Sequence, residues 1–338
     1  MTSVGQFRLE LACVVSGLPY RRSFFRRGGF RLLGKDLEEW PSRLEHFFGS
    51  EWIERGRQAF RELRENRAFQ KQLSRISVQF CNEEDYPHQL RQIFDAPGVL
   101  WIAGPLAESG QERPLSPCWQ IRQAVAVIGT RNPENISLIA TEKFVQRWLG
   151  DALTVSGLAR GIDAWAHRKS LEIGASTIAV LGAGILHPGP EENGHLWREQ
   201  YPGSLFLVSE FLPDTRPRSF HFPRRNRIIA GLSQCIALMQ APEGSGALIS
   251  AEFALEEGRD LLVFDHSLLQ KAGCNEGARK LLQQGAIDMQ QSLNLIPEEA
   301  LYSAPDGPVD PASEMWLQDK LQEGRLRPLG QGLLFLDS

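Results

Sequence analysis

Short apolar runs alternate with amphipathic stretches through the middle of this 338-residue chain. Each run is rich in Val, Ile, Leu and Ala, and Gly or Ser follows almost every one. The runs fall at residues 124–128, 152–155, 177–181, 205–208, 235–239 and 261–264. Short apolar strands that alternate with helices are typical of a parallel sheet buried on both faces. The sequence therefore predicts an α/β fold with helices on both faces of a parallel sheet.

Two smaller parts flank this α/β region. Residues 1–75 carry apolar positions three and four apart, which predicts a small helical domain with a basic outer face. Residues 76–290 form the predicted α/β domain, which opens with strand-like segments at 76–80 and 97–102. Residues 291–338 form a short C-terminal extension. Within it, 314–323 and 330–336 are predicted to be the helix and strand of a degenerate winged-helix remnant.

Small residues follow the carboxyl ends of the predicted strands, which is where open parallel sheets bind their ligands. Backbone N–H groups beside Gly and Ser can approach an oxyanion closely, and an arginine directly after a strand adds a cation at that edge. These loops therefore predict a site for a phosphate-bearing ligand. The candidate residues are Gly129, Thr130, Arg131, Ser156, Gly157, Gly182, Gly244, Ser245 and Gly246.

An arginine-rich segment at residues 216–227 lies between two predicted strands and not in a terminal tail. Pro223 suits the first turn of a helix, and the apolar residues after the arginines predict one buried face. An arginine run is usually a solvated surface, but arginines in a cleft need an anionic partner. The predicted phosphate ligands here are Arg224, Arg225, Asn226 and Arg227, and the predicted base-stacking residues are Phe220, His221 and Phe222.

Motif spacing and composition argue against several other classes. The five cysteines form no C-x-x-C pair and the seven histidines no H-x-x-H pair, so neither a disulfide framework nor a metal site is expected. Neither a G-x-G-x-x-G nor a G-x-x-x-x-G-K-S/T motif is present, so no nucleotide cofactor is expected. No apolar run approaches the roughly 20 residues of a membrane span. A cytoplasmic protein is predicted, whose net charge of -4 requires any anion site to be built locally.

Several of these motifs, in this order, resemble the DNA-processing protein A (DprA/Smf) family, from about residue 76 to 290. The resemblance implies an extended Rossmann-like domain, a homodimer that binds single-stranded DNA, and delivery of that DNA to the RecA recombinase in natural transformation and recombination. The chain departs from the family at His187-Pro188, at Asp265-His266 and in its short C-terminus. The motifs are Val127-Ile-Gly-Thr-Arg131, Ser156-Gly-Leu-Ala-Arg-Gly-Ile-Asp163 with Ala166-His167, Thr177-Ile-Ala-Val-Leu-Gly182, Ser209-Glu210, Phe222-Pro-Arg-Arg-Asn-Arg-Ile-Ile-Ala-Gly-Leu-Ser233 and Ser245-Gly-Ala-Leu-Ile-Ser-Ala251.

The resemblance assigns Arg131, Arg225 and Arg227 to the DNA-binding pocket. In this interpretation they neutralise two or three phosphates of one strand, so binding is sequence-tolerant and salt-dependent. Replacing Arg225 and Arg227 together by alanine is expected to weaken DNA binding and leave the fold intact. Asp163 and His167 match further family positions and are interpreted mainly as structural residues, with Asp163 capping the helix that follows it.

A nucleotide-binding or nucleotide-cleaving enzyme of the phosphoribohydrolase type is the alternative. Glu210 or Glu252 near a glycine loop would supply the carboxylate that cleaves an N-glycosidic bond. Against this alternative, the sequence offers no clear acid–base pair, nucleophile–base pair or metal-ligand set. We therefore expect a DNA-binding protein without catalytic residues.

Overall fold

The computed structural model describes residues 3–18, 32–105, 119, 123–198, 201–297, 300–303, 319–320, 326–330 and 333–336. Its N-terminal part is helical, as predicted. At Gly56 two of these helices cross so closely that a Cβ atom would overlap the backbone of Val14. The helices are α1 (Ser3–Gly17), α2 (Trp40–Phe48), α3 (Ser50–Glu65) and α4 (Arg67–Gln72).

One large sheet forms the centre of the molecule. Its strands are β1 (Ile76–Phe80), β2 (Val99–Ala103), β3 (Ala124–Ile128), β4 (Leu153–Ser156), β5 (Ser176–Val180), β6 (Ser204–Ser209), β7 (Cys235–Leu238), β8 (Asp260–Val263) and β9 (Ile287–Asp288). Their order in the sheet is β1-β2-β6-β5-β4-β3-β7-β8-β9. The strands from β6 to β9 are parallel, whereas β2 pairs antiparallel with both β6 and β1. The predicted parallel sheet is confirmed, with an antiparallel edge built from segments 76–80 and 97–102.

Helices cover both faces of this sheet, as the alternating pattern predicts. Successive side chains of β3 point to opposite faces of the sheet, because Ala126 belongs to one hydrophobic cluster and the next residue, Val127, belongs to the other. The helices are α5 (His88–Gln92), α6 (Asn135–Trp148), α7 (Ile162–Glu172), α8 (His195–Arg198), α9 (His221–Leu232), α10 (Gly246–Glu256), α11 (Glu276–Gln283) and α12 (Met289–Leu293). Single 3-10 turns occur at Leu37–Glu39, Leu73–Arg75, Glu191–Asn193 and Ser267–Leu269.

The N-terminal helices share one hydrophobic cluster with the antiparallel edge of the sheet. The Trp40 ring packs edge-on against Phe80, with 5.7 Å between ring centroids. The indole Nε1 of Trp101 donates a hydrogen bond of 3.0 Å to the Ser16 hydroxyl of α1. The helical region and the sheet are therefore continuous in their core, and the domain boundaries at residues 75 and 290 stay predictions.

The order of the strands reverses between β3 and β7. The chain adds β4, β5 and β6 on one side of β3, then returns to add β7, β8 and β9 on the other side. In open α/β sheets, ligands bind in the crevice outside the carboxyl ends of the strands at such a switch point. The loop after β3 and the loop after β7 are thus the two segments that a ligand would meet first.

A small antiparallel sheet at the C-terminus packs against α6. It consists of β10 (Leu301–Ser303), β12 (Leu333–Leu336) and β11 (Leu326–Gly330), in that order. Phe335 is buried in the same cluster as Phe144, and Arg327 Nη1 donates to Glu142 Oε2 at 2.7 Å. The strand predicted at 330–336 largely corresponds to β12. The helix predicted at 314–323 lies almost entirely outside the described residues.

Within the described part of the chain, no helix is both long enough and apolar enough to span a membrane.

Candidate functional site

The loop after β3 carries Arg131 to the edge of the sheet. Thr130 N donates to Gln240 O at 2.8 Å, which ties this loop to the end of β7. Gly129 is required here because a Cβ atom would lie 2.6 Å from Ile162 Cγ1. The Arg131 side chain is exposed, and among the described residues it has no carboxylate partner. Its guanidinium is therefore available to a ligand.

The loop after β4 is held in shape by Asp163 at the start of α7. Asp163 Oδ2 accepts hydrogen bonds from Gly157 N at 3.1 Å and from Ala159 N at 3.4 Å. Gly161 has φ +78°, and a Cβ there would overlap Thr130 O. Burial raises the pKa of the Asp163 carboxyl, and the nearby Arg225 opposes that rise. Asp163 thus organises the loop, but it does not cap the helix as predicted: the N-cap residue of α7 is Gly161, and no side-chain hydrogen bond caps the helix.

Arg225 of α9 is buried beneath the two loops, with 5% of its surface exposed. Its Nη1 donates to Gly157 O at 2.6 Å and to Val180 O, which joins the carboxyl ends of β4 and β5. Its Nε has no acceptor among the described residues. Burial lowers the pKa of Arg225 to about 10, which leaves the guanidinium charged at neutral pH. Asp163 is close enough to favour that charge.

Arg227 points away from the site into a buried ion-pair cluster. Its Nη1 and Nη2 donate to Glu210 Oε1 at 3.0 Å and Oε2 at 2.8 Å, and its Nε donates to Asp95 Oδ2 at 2.9 Å. Its Nη1 also donates to Arg224 O at 3.0 Å. Burial lowers the pKa of Arg227, but the two carboxylates outweigh burial and raise it above its usual value. These contacts use the guanidinium to fix α9 to the rest of the fold.

The N-terminus of α10 faces the loop after β3 across a crevice. Ser245 caps this helix, since its Oγ accepts a hydrogen bond from Ala247 N at 3.3 Å. Asn226 of α9 contacts the same turn, since its Nδ2 donates a hydrogen bond of 3.4 Å to Gly246 O. A helix N-terminus presents N–H groups and partial positive charge to an anion. The structure thus brings a helix N-terminus opposite Arg131.

The three predicted stacking residues have different surroundings. His221 is buried, stacks on Phe211 with 4.2 Å between ring centroids, and uses Nδ1 to contact Gly182 O at 3.1 Å. Phe220 is 52% exposed on the outside of the helix start. Phe222 is half-buried, with Cδ1 2.8 Å from where a Cβ on Gly182 would lie. Of the three rings, Phe222 is the one that lines the two cavities at the carboxyl edge of the sheet.

Two adjoining cavities occupy the switch point. The larger, here called the crevice, has a volume of about 610 Å³ and lies between the β3 loop, α9 and the start of α10. The smaller, here called the side chamber, has a volume of about 310 Å³ and lies against the loops after β4 and β5. Arg131, Ala159, Phe222 and Arg225 line both.

The predicted site residues divide between these cavities and the surrounding core. The crevice is lined by Gly129, Thr130, Arg131, Phe222, Arg225, Asn226, Gly244, Ser245 and Gly246. The side chamber adds Gly157 and Gly182. Neither cavity is lined by Ser156, Arg224, Arg227, Phe220 or His221. Ser156 is buried, and its Oγ donates to Val127 O at 2.6 Å.

Sequence reasoning did not assign Arg160 and His187, which line the side chamber. Arg160 follows β4 within the loop that Asp163 organises, much as Arg131 follows β3. This shared position after a predicted strand could have identified Arg160 as a site residue from the sequence. His187 lies on the loop after β5 and pairs with Asp214 at 2.8 Å. In the described residues no group of His, Cys, Asp and Glu is arranged to hold a metal ion.

His167 is a packed core residue. Its Nδ1 lies 2.7 Å from Thr177 Oγ1, and that hydroxyl donates to Thr154 O at 2.8 Å. Nδ1 must therefore carry the proton, which leaves Nε2 as a buried acceptor without a partner in the described part of the chain. Burial, aided by the charge of Arg225, lowers the pKa of His167 to about 3. The imidazole is neutral at physiological pH.

A family model for DNA recombination-mediator protein A matches residues 77–299. The chain belongs to this family. DNA processing protein DprA of Streptococcus pneumoniae is 38% identical over 205 residues, which cover 60% of this chain and 67% of that protein. DprA of Bacillus subtilis is 36% identical over 211 residues (61% and 65%), and protein Smf of Escherichia coli is 33% identical over 231 residues (68% and 58%). The matches thus span about three fifths to two thirds of these relatives.

Solved structures of the recombination-mediator family share the fold. The X-ray structure of S. pneumoniae DprA aligns with a TM-score of 0.64 at 29% identity, over 82% of this chain and 92% of that chain. DNA processing protein A from Helicobacter pylori, described for its single-stranded DNA binding mode, aligns with a TM-score of 0.52 at 23% identity, over 73% and 96%. The Rossmann-like fold with a helical N-terminal region is therefore that of this family.

Proposed function

We propose that the chain binds single-stranded DNA in the crevice through the phosphates of the DNA backbone. The observation that carries the proposal is the convergence of Arg131, Arg225 and the N-terminus of α10 on one cavity at the switch point. Membership of the recombination-mediator family supports a DNA ligand. The H. pylori protein, described as binding single-stranded DNA, supports a single strand.

Each element of the crevice contributes a different interaction. Arg131 is exposed and neutralises a phosphate directly, whereas buried Arg225 supplies positive potential and shapes the loop after β4. The α10 N-terminus adds N–H donors. Phosphate contacts hold a strand without reading its sequence, so binding is sequence-tolerant. Preference for a single strand comes from base stacking, for which the half-buried Phe222 ring is placed at the junction of the two cavities.

A salt titration of DNA binding tests the proposal. Anisotropy of labelled oligo-dT and of a duplex of equal length would be followed from low to high salt, with wild type, Arg131→Gln and Arg216→Gln. Arg216 is the control because it is exposed and lines neither cavity. We expect tighter binding of the single strand, and a log–log salt slope about 0.7 shallower in Arg131→Gln for each phosphate that the variant no longer neutralises. Equal slopes in all three proteins, or equal binding of duplex and single strand, would contradict it.

The family resemblance extends the proposal to assembly and handover. The chain would act as a cytoplasmic homodimer that passes the bound strand to RecA, with two linked crevices raising avidity through effective concentration. Light scattering coupled to gel filtration measures the mass of the assembly. The rate of RecA ATP hydrolysis on oligo-dT, with wild type or Arg131→Gln added, measures the handover. No stimulation by wild type would remove RecA from the proposal and leave strand binding standing.

The surroundings of three carboxylates count against the nucleotide-cleaving alternative. Glu210 is committed to Arg227 through two hydrogen bonds, and Glu252 is exposed and lines neither cavity. Asp163 does line the crevice, but its Oδ2 accepts two backbone N–H groups. Incubation with deoxynucleoside monophosphates, followed by chromatography for free base, separates the two functions. Release of base that Asp163→Asn abolishes would favour the enzyme.

A further inference from the structure

Gln240 holds the loop that carries Arg131 at two points. Its backbone carbonyl accepts a hydrogen bond from Thr130 N at 2.8 Å, and its side-chain Oε1 accepts one from Glu134 N at 2.9 Å. These two N–H groups lie on either side of Arg131 in the sequence. A single residue just after β7 therefore fixes both ends of the short segment that presents the arginine.

The side-chain amide of Gln240 is itself held in one orientation. Its Nε2 donates to Cys274 O at 3.2 Å, and only 2% of the surface of Gln240 is exposed. An amide oxygen accepts and an amide nitrogen donates, so the donor Glu134 N and the acceptor Cys274 O decide which end faces which. The next residue, Ala241, donates from its N to Asn275 Oδ1 at 2.8 Å. Gln240 is thus a fixed anchor for the loop.

Arg131 depends on this anchor for its direction. Its side chain is exposed and has no carboxylate partner in the described part of the chain, so no ion pair directs the guanidinium towards the crevice. The direction must come from the backbone of the loop, which belongs to neither a helix nor a strand. A site residue binds its ligand well only where the groups behind it hold it in the productive geometry.

We propose that Gln240 is the positioning residue for Arg131. It holds the loop after β3 so that the guanidinium faces the crevice. Gln240 lines neither cavity, so it acts through the loop and makes no contact with DNA of its own. The proposal rests on strand binding in the crevice, which is the proposed function.

Gln240→Met tests this role, because methionine fills a similar volume but has no amide. We expect the variant to weaken oligo-dT binding about three- to tenfold, in keeping with the loss of one contact to a charged group. The log–log salt slope of binding should become shallower, as in Arg131→Gln. Hydrogen exchange of a peptide that covers residues 129–134 should become faster, because Glu134 N–H loses its acceptor.

Gln79→Met is the matched control. Gln79 is also a buried glutamine, with 3% of its surface exposed and Nε2 donating to Asp85 Oδ2 at 3.1 Å. It lies on the edge strand β1 and lines neither cavity. We expect this variant to lose stability but to keep the salt slope of wild type and the hydrogen exchange of residues 129–134. Binding is measured at a temperature at which every variant is folded.

A double variant separates positioning from a general structural defect. If Gln240 acts through Arg131, the double variant Arg131→Gln with Gln240→Met should bind oligo-dT within about twofold of Arg131→Gln alone. Losses of affinity that multiply in the double variant would overturn the positioning role. A Gln240→Met variant with the salt slope of wild type would overturn it as well.

A second variant removes the same hydrogen bond from the other side, should Gln240→Met fail to fold. Glu134 has φ -70°, which proline adopts, and proline has no N–H to donate. Glu134→Pro should bind oligo-dT more weakly than Glu134→Ala, which keeps the N–H group, and equal affinities would contradict the proposal. Failure of wild type to bind oligo-dT is a separate result, which overturns the proposed function. Hydrogen exchange of residues 129–134 then decides alone whether Gln240 holds the loop.

Discussion

Replacing Arg227 by alanine is expected to destabilise the fold itself. The guanidinium makes three hydrogen bonds of 2.8–3.0 Å to Glu210 and Asp95, and the side chains of Arg227 and Glu210 are only 3% and 4% exposed. Removing one partner of a buried ion pair leaves an uncompensated charge, which costs about 3–5 kcal/mol. Arg131→Ala removes an exposed side chain instead, and surface changes of that kind stay within about 0.5 kcal/mol.

Thermal and urea unfolding, followed by circular dichroism, measure this difference. A decrease of about 3–5 kcal/mol in the free energy of unfolding corresponds to a fall in Tm of roughly 6–20 °C for a large domain. The double variant Arg227→Met with Glu210→Gln removes both charges of the main pair. We expect it to recover part of the stability that Arg227→Met alone removes, because the buried carboxylate no longer lacks a partner.

The outcome separates two roles for Arg227. If Arg227→Ala has the Tm of wild type and loses oligo-dT binding with a shallower salt slope, the residue contacts phosphate. The buried ion-pair cluster then does not stabilise the fold as expected. If it is strongly destabilised while Arg131→Ala is not, Arg227 positions α9 and reaches the DNA only through Arg225. The double alanine variant of Arg225 and Arg227, expected from sequence alone to keep its fold, should then be unstable.

Two further predictions concern the groups around Arg225. Gly157→Ala places a methyl group within 2.6 Å of Arg225 Cζ, so it should destabilise the protein by about 1–3 kcal/mol and weaken oligo-dT binding, whereas Gly150→Ala, with open space at its Cβ, should do neither. The pKa of His167 is lowered to about 3, so its stabilising contribution is complete above pH 6.5 and is lost as the pH falls from there towards 3. Between pH 7 and pH 5, the free energy of unfolding measured in urea should fall by about 2 kcal/mol more in wild type than in His167→Gln, because glutamine cannot take up a proton on unfolding. The raised pKa of Asp163 changes the pH dependence of stability in the opposite direction. This contribution is the same in both proteins, so it cancels when they are compared. Equal pH dependence in both proteins would show that the imidazole is not held neutral.

The parallel part of the fold was predictable because its signals are local. Each strand from β3 to β8 is a short apolar run with a Gly or Ser close behind it, and these six strands begin and end within one residue of the predicted runs. The two-residue strand β9 was not predicted. The pairing of β2 with β6 was not predictable in the same way. Whether a strand joins an existing sheet, and in which direction, depends on partners about a hundred residues away that no local pattern encodes.

The site shows the same division between local and non-local information. The loops after β3 and β7 were located from the rule that ligands bind at the carboxyl ends of parallel strands. The partners of Arg227 could not be located, because Asp95 lies 132 residues away in sequence and Glu210 lies on a different element. An arginine beside a carboxylate and an arginine beside a phosphate look identical in a sequence.

Helix geometry nevertheless decides that Arg225 and Arg227 cannot share one role. Successive residues of an α-helix are turned by about 100°, so side chains two positions apart lie on opposite sides of its axis. Both arginines fall inside α9 (His221–Leu232), and the structure accordingly directs Arg225 to Gly157 and Arg227 to Glu210. A helix predicted over both residues already implies that the two arginines do not face the same cavity. The arginine pair of this motif is therefore best tested as one site residue and one positioning residue, and single variants carry information that the double variant loses.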